Sequence, residues 1–164
     1  MERSYQLLHH RGPDSEGIWK DDLVGLVHKR LSIQDLTEAG NQPMVSTSER
    51  YIIIFNGEIY NHLELRSKFF PNKHWRGHSD TETILALFEK IGTEMFRYLI
   101  GMWAIAIWDQ MEKRMLLSRD RYGQKPLYYR FYESGDFALA REIKPLLLPG
   151  QTNKANSLMV AEYL

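Results

Sequence analysis

The stretch Tyr51-Ile52-Ile53-Ile54-Phe55-Asn56-Gly57-Glu58-Ile59-Tyr60-Asn61 decides how the rest of the chain is read. Its first five residues are apolar and Ile-rich, which predicts a short buried strand rather than a helix. Asn56-Gly57 follows directly, a pair that tolerates positive φ and predicts a tight turn. Asn61, with Glu64 three residues on, predicts the cap of a helix that runs to Phe70 and stops before Pro71.

Outward from that stretch the same logic continues. Ser79 predicts a second helix cap, with Glu82 at the capping-box position. Ile84, Leu85, Leu87, Phe88 and Ile91 then fall on one apolar face, and Gly92 ends the helix. A shorter helix is expected over residues 94–99. Residues 103–108 are uniformly apolar, hence a strand buried on both faces, with residues 114–118 paired to it across a polar turn. Residues 127–132 and 137–140 predict a hairpin around a turn at 133–136, and a short helix starts near Glu142 and ends before Pro149. Upstream, residues 17–19 and 23–30 read as strands, followed by a polar loop over 35–42 closed by Pro43. Tyr5, Leu7 and Leu8 read as the last turns of a helix that ends at His9-His10-Arg11. The order of elements is α+β, with helices packed on antiparallel sheets. Residues 1–150 are expected to form one domain, and residues 151–164 to begin a linker or following region.

Composition narrows the function classes. Lys plus Arg and Asp plus Glu each number 21 among 164 residues, so the formal charge is zero. That balance argues against a nucleic-acid partner, which calls for a basic excess. No apolar run approaches the ~20 residues of a membrane-spanning helix, and no secretory signal opens the chain, so a cytoplasmic location is expected. The chain has no cysteine. A disulfide scaffold, a thiolate zinc site and a cysteine nucleophile are excluded in the chain as written. His9, His10 and His28 lack metal-ligand spacing, and no metal site is expected.

Four stretches carry chemistry-bearing residues: Arg11-Gly12-Pro13-Asp14-Ser15, His28-Lys29-Arg30-Leu31-Ser32-Ile33, residues 55–61, and Gly77-His78-Ser79-Asp80-Thr81-Glu82-Thr83. Singly, each has a plain structural reading: a turn, a solvated charge, a helix cap. Together they suit a zwitterion. Arg30 would clamp an α-carboxylate, Asp80 would accept from an α-ammonium, and Glu58 would orient the amino end. The Asn56 amide and the Gly57 N–H would donate to a carbonyl oxygen that gains charge during acyl transfer.

In order, His10-Arg11-Gly12-Pro13-Asp14, Arg30-Leu31-Ser32-Ile33, residues 56–61 and Ser79-Asp80-Thr81-Glu82 resemble the class II glutamine amidotransferase domain of glutamine-hydrolysing asparagine synthetases. Gly101-Met102-Trp103-Ala104, residues 118–129 and residues 142–146 agree. The resemblance implies an N-terminal nucleophile hydrolase-type αββα sandwich of two antiparallel sheets, here lacking its first strand. It implies hydrolysis of glutamine, with ammonia passing to a second domain that uses ATP and Mg²⁺ to convert aspartate to asparagine. It assigns glutamine binding to Arg30, Leu31, Ser32, Ile33, Gln34, Asn56, Gly57, Glu58 and Asp80, and the oxyanion hole to Asn56 and Gly57.

Two departures set the expectation for this chain. The family's nucleophile is an N-terminal cysteine whose own α-amine is the base, and no cysteine is present. The synthetase domain that the resemblance implies is expected to be missing after Leu164. The chain is therefore expected to be a fragment, inactive by itself. A catalytically dead glutamine-binding or interaction module, an amidotransferase domain serving a different acceptor, and a non-functional remnant remain open alternatives. Association into a homodimer is compatible with all of them.

Overall fold

A computed structural model of the chain describes residues 15–30 and 38–147. Strands β1 (Ser15–Lys20) and β2 (Gly25–Arg30) form an antiparallel hairpin. The centre is a four-stranded antiparallel sheet in the order β3-β4-β5-β6: β3 is Met44–Val45, β4 Tyr51–Ile59, β5 Gly101–Asp109 and β6 Arg114–Arg119. Helices α1 (His62–Phe69) and α2 (Asp80–Ile91) separate β4 from β5, and β7 (Tyr128–Phe131) with β8 (Phe137–Ala140) closes a last hairpin.

Alternation along β4 and β5 explains the layers. Ile53, Phe55 and Ile59, with Trp103, Ile105 and Ile107, face α2 and pack on its Ile84, Leu85 and Leu87. The periodicity of residues 84–91 thus meets its partner, with Phe88 and Ile91 at the margin of the cluster. Ile52 and Trp108 point to the opposite face, where Leu26 and Trp19 of the first hairpin cover them. The Trp108 indole N–H donates to Asp21 Oδ2 at 2.9 Å, tying that hairpin's turn to β5. The α+β class and the run buried on both faces over residues 103–108 are as expected. Among the described residues, the strands outside the central sheet form two separate hairpins. The helix expected over residues 5–11 lies outside the described residues. Among those residues, no helix is long and apolar enough to cross a membrane.

Three local expectations are corrected. Asn56-Gly57 is not a turn: β4 continues through both residues to Ile59, and neither has positive φ. Gly57 is required there by close approach, since a Cβ would stand 2.1 Å from the Met102 carbonyl oxygen. Asn61 is the residue before α1 but makes no side-chain cap. Its amide instead donates to the Tyr98 carbonyl at 2.9 Å and accepts from the Ile100 N–H at 3.0 Å. The helices expected over residues 94–99 and after Glu142 are 3₁₀ turns, Gly92–Arg97 and Lys144–Leu146.

Candidate functional site

The free edge of β4 organises the site. β3 pairs only with Ile52 and Ile53, so the edge beyond Ile53 lacks a strand neighbour among the described residues. On the other side β4 meets β5, with Gly57 opposite Trp103. The Trp103 backbone is turned away from β4: its carbonyl accepts from the Asp120 N–H at 2.9 Å, and its N–H donates to Asp120 Oδ2 at 3.2 Å. Gly57 and Trp103 are therefore a non-hydrogen-bonded pair, and the Gly57 N–H points to the free edge. Phe55 and Ile59 share that orientation, and side chains take up their groups. The Phe55 N–H donates to Gln42 Oε1 at 2.6 Å, and the Ile59 N–H donates to Asp80 Oδ2 at 2.9 Å. His28 Nε2 lies 3.2 Å from the Phe55 carbonyl oxygen. Among the described residues, Gly57 thus presents a backbone donor between two positions already filled.

Asp80 opens α2, behind the Ser79 cap, whose hydroxyl accepts from the Thr81 N–H at 3.1 Å. The residue is 6% exposed. Burial pushes its carboxyl up to about 6, against the hydrogen bonds from the Ile59 and Thr81 N–H groups, and the nearby Glu58 charge adds to the rise. Asn56 and Glu58 lie on the Ile52–Ile54 face of β4, half-buried. A backbone donor and the Asp80 carboxylate therefore sit on one strand edge, with the Asn56 amide and the Glu58 carboxylate on the adjoining face of the strand. That set can hold a carbonyl oxygen and a cationic amine together.

The loop before Asp80 is pinned by Arg66 of α1. Its guanidinium donates to Ser79 O at 2.7 Å, Gly77 O at 2.9 Å and Thr83 Oγ1 at 2.7 Å, and stacks 3.9 Å from the centre of the Trp75 ring. Glu82 accepts from the Arg76 and Gly77 N–H groups and stands 3.7 Å from Arg66. Burial works against the Asp120 charge, but N–H groups of Lys125, Gln124, Trp103 and Tyr122 hold its carboxyl at about 2.

Of the expected site residues, the structure brings together Asn56, Gly57, Glu58 and Asp80. Arg30 ends β2, two residues after His28. Leu31, Ser32, Ile33 and Gln34 lie outside the described residues. Gln42, Arg66 and Asp120 build the site's frame; Gln42 and Arg66 carry no local sequence signal beyond their polarity, while Asp120 lies in the 118–129 stretch that matches the family.

The chain matches the glutamine amidotransferase domain family over residues 1–164. It is 40% identical over 142 residues to asparagine synthetase B [glutamine-hydrolyzing] of Escherichia coli, covering 87% of this chain and 26% of that protein. It is 44% identical over 125 residues to asparagine synthetase [glutamine-hydrolyzing] 1 of Bacillus subtilis, covering 76% of this chain and 20% of that one. An amidase of Gibberella zeae is 37% identical over 152 residues, covering 92% and 22%. The chain thus spans a fifth to about a quarter of the length of these relatives. The fold is similar to that of the glutamine phosphoribosylpyrophosphate amidotransferase of B. subtilis, with a TM-score of 0.71 at 19% identity, over 87% of this chain and 39% of that one. The strand-edge donors, the carboxylate at the head of α2 and the match along the whole length agree that this chain belongs to the glutamine amidotransferase domain family.

Proposed function

We propose that this chain is the glutamine-binding part of an asparagine synthetase. Glutamine lies along the free edge of β4. Its side-chain carbonyl faces the Gly57 N–H and the Asn56 amide, and its α-ammonium faces Asp80 and Glu58. Arg30 and residues 31–34 receive the α-carboxylate end, by the family resemblance. The family resemblance implies attack on the amide carbon by an N-terminal cysteine thiolate, which this chain does not itself carry. The carbonyl oxygen takes up the charge that the two donors stabilise, the amide nitrogen leaves as ammonia with a proton returned by the cysteine's α-amine, and water then cleaves the thioester to glutamate. The ammonia serves a second domain, which holds ATP and Mg²⁺ and converts aspartate to asparagine in the cytoplasm. The observation that supports this reading most is the Gly57 N–H directed to an edge whose neighbouring donors are already filled.

The absence of cysteine favours a second description for the isolated polypeptide: binding without turnover. Calorimetric titration of the 164-residue chain with L-glutamine tests both. Saturable binding is expected, weakened about 30-fold by Asp80→Ala through loss of a buried charge partner, with no ammonia released. An Asp80→Ala affinity equal to that of the parent chain would refute the placement, and ammonia release would refute binding without turnover.

A further inference from the structure

We infer that Gln42 is a positioning residue that sets the Asn56 and Gly57 donors against the head of α2; the inference rests on the glutamine reading. Gln42 is 8% exposed, in the loop that enters β3. Its side chain bridges two elements that share no backbone hydrogen bond. Oε1 accepts from the Phe55 N–H at 2.6 Å, and Nε2 donates to Thr81 Oγ1 at 3.2 Å. The amide orientation is fixed by chemistry, because only the oxygen can face an N–H. Thr81 is the residue after Asp80 and is 2% exposed, so its hydroxyl has few other positions.

With the Asp80–Ile59 bond, this bridge fastens α2 to the edge of β4 at two points, one on each side of Gly57. Adjacent outward N–H groups on a strand are about 7 Å apart. The two fastenings therefore leave one ligand-sized gap and hold its walls. A donor held at a fixed place stabilises developing charge without reorganising, which is what an oxyanion site requires. Gln42 touches no part of the proposed ligand. It acts through the Phe55 peptide on Asn56 and through Thr81 on Asp80.

The test uses the 164-residue chain in three variants: Gln42→Leu, the volume-conserving Thr81→Val, and the double variant. Without ligand, the Asn56 and Gly57 amide resonances should move in Gln42→Leu and Phe55 should lose exchange protection, while amides of the remote Ile107 segment stay in place. With L-glutamine, Gln42→Leu should raise Kd about tenfold and Thr81→Val about threefold, each having lost hydrogen-bond fastening. The double variant should bind no worse than Gln42→Leu, because both changes cut one bridge. Unmoved Asn56 and Gly57 resonances, or additive losses in the double variant, overturn the inference. A parent chain that does not bind glutamine overturns the glutamine reading instead, and the ligand-free resonances then decide the bridge alone.

Discussion

On the helix-covered face of the central sheet, Ile53, Ile84, Leu87 and Ile105 have no exposed surface, whereas Tyr129 and Phe131 of the last hairpin are 63% and 72% exposed. The rings are larger than the isoleucines, so residue type does not explain the contrast. What differs is the cover. α2 lays a continuous apolar stripe on β4 and β5, while β7 and β8 pack mainly their own rings together, with Phe131 and Phe137 centred 4.9 Å apart. Apolar area removed from water is what stabilises, at ~25 cal/mol per Å², and the helix side removes nearly all of it. The candidate site lies on the free edge of β4, and its Asp80 carboxylate comes from the better-buried side.

The largest test of that contrast is a pair of truncations followed by urea unfolding. Ile105→Ala should cost about 4 kcal/mol, the transfer loss plus a cavity in a core that cannot collapse. Phe131→Ser should stay within about 0.5 kcal/mol, as an exposed change. Comparable losses in the two would erase the distinction. Next in size is Arg66→Ala, which uncovers Trp75, leaves the Ser79 carbonyl and the Thr83 hydroxyl without their buried donor, and leaves Glu82 with only Arg76 and the Gly77 N–H. About 3 kcal/mol of stability should go, and glutamine binding should fall with it because Asp80 follows the released loop. An Arg66→Ala chain of parental stability would show that α1 does not hold the head of α2.

The smallest effect sharpens the comparison through pH. Asp80 titrates near 6 when folded and near its ordinary 3.8 when unfolded. Between those values the folded chain holds a proton that the unfolded chain releases. The resulting stability is complete below 3.8 and is lost as pH rises through about 6. Glutamine affinity should run the opposite way, rising through about 6 as the carboxylate forms to receive the ammonium. Asp80→Asn should flatten the stability slope across that window, and an unchanged slope would point to another titrating group.

The sequence made the frame legible where a local pattern coincides with burial. The apolar run over residues 103–108 and the 3.6-residue periodicity of residues 84–91 correspond to β5 and to the inner face of α2. Asn56-Gly57 misleads because the same small, polar pair suits a turn or a strand that another backbone approaches closely, and Met102, which decides between them, is remote in sequence. Asn61 misleads similarly: a cap and a bridge to Tyr98 and Ile100 call for the same amide. The candidate residues Asn56, Gly57, Glu58 and Asp80 were legible as residue types, and the structure places them on and beside one strand edge. Gln42 and Arg66 were not legible, since a polar side chain in a loop and a cation in a helix gain meaning only from partners that folding supplies.

The two glycines at the end of the β4–β5 ladder constrain one another. A Cβ on Gly57 would stand 2.1 Å from the Met102 carbonyl oxygen, and a Cβ on Gly101 would stand 2.1 Å from the Glu58 carbonyl oxygen. Each obstacle is backbone, which no rotamer change can move aside. Either substitution would have to push the same two strands apart. For anyone diversifying this scaffold by mutagenesis, the pair behaves as a single fixed letter. New specificities have to be sought in the side chains around the strand edge, on Glu58, Gln42 and the head of α2, while the spacing of the two strands stays as it is.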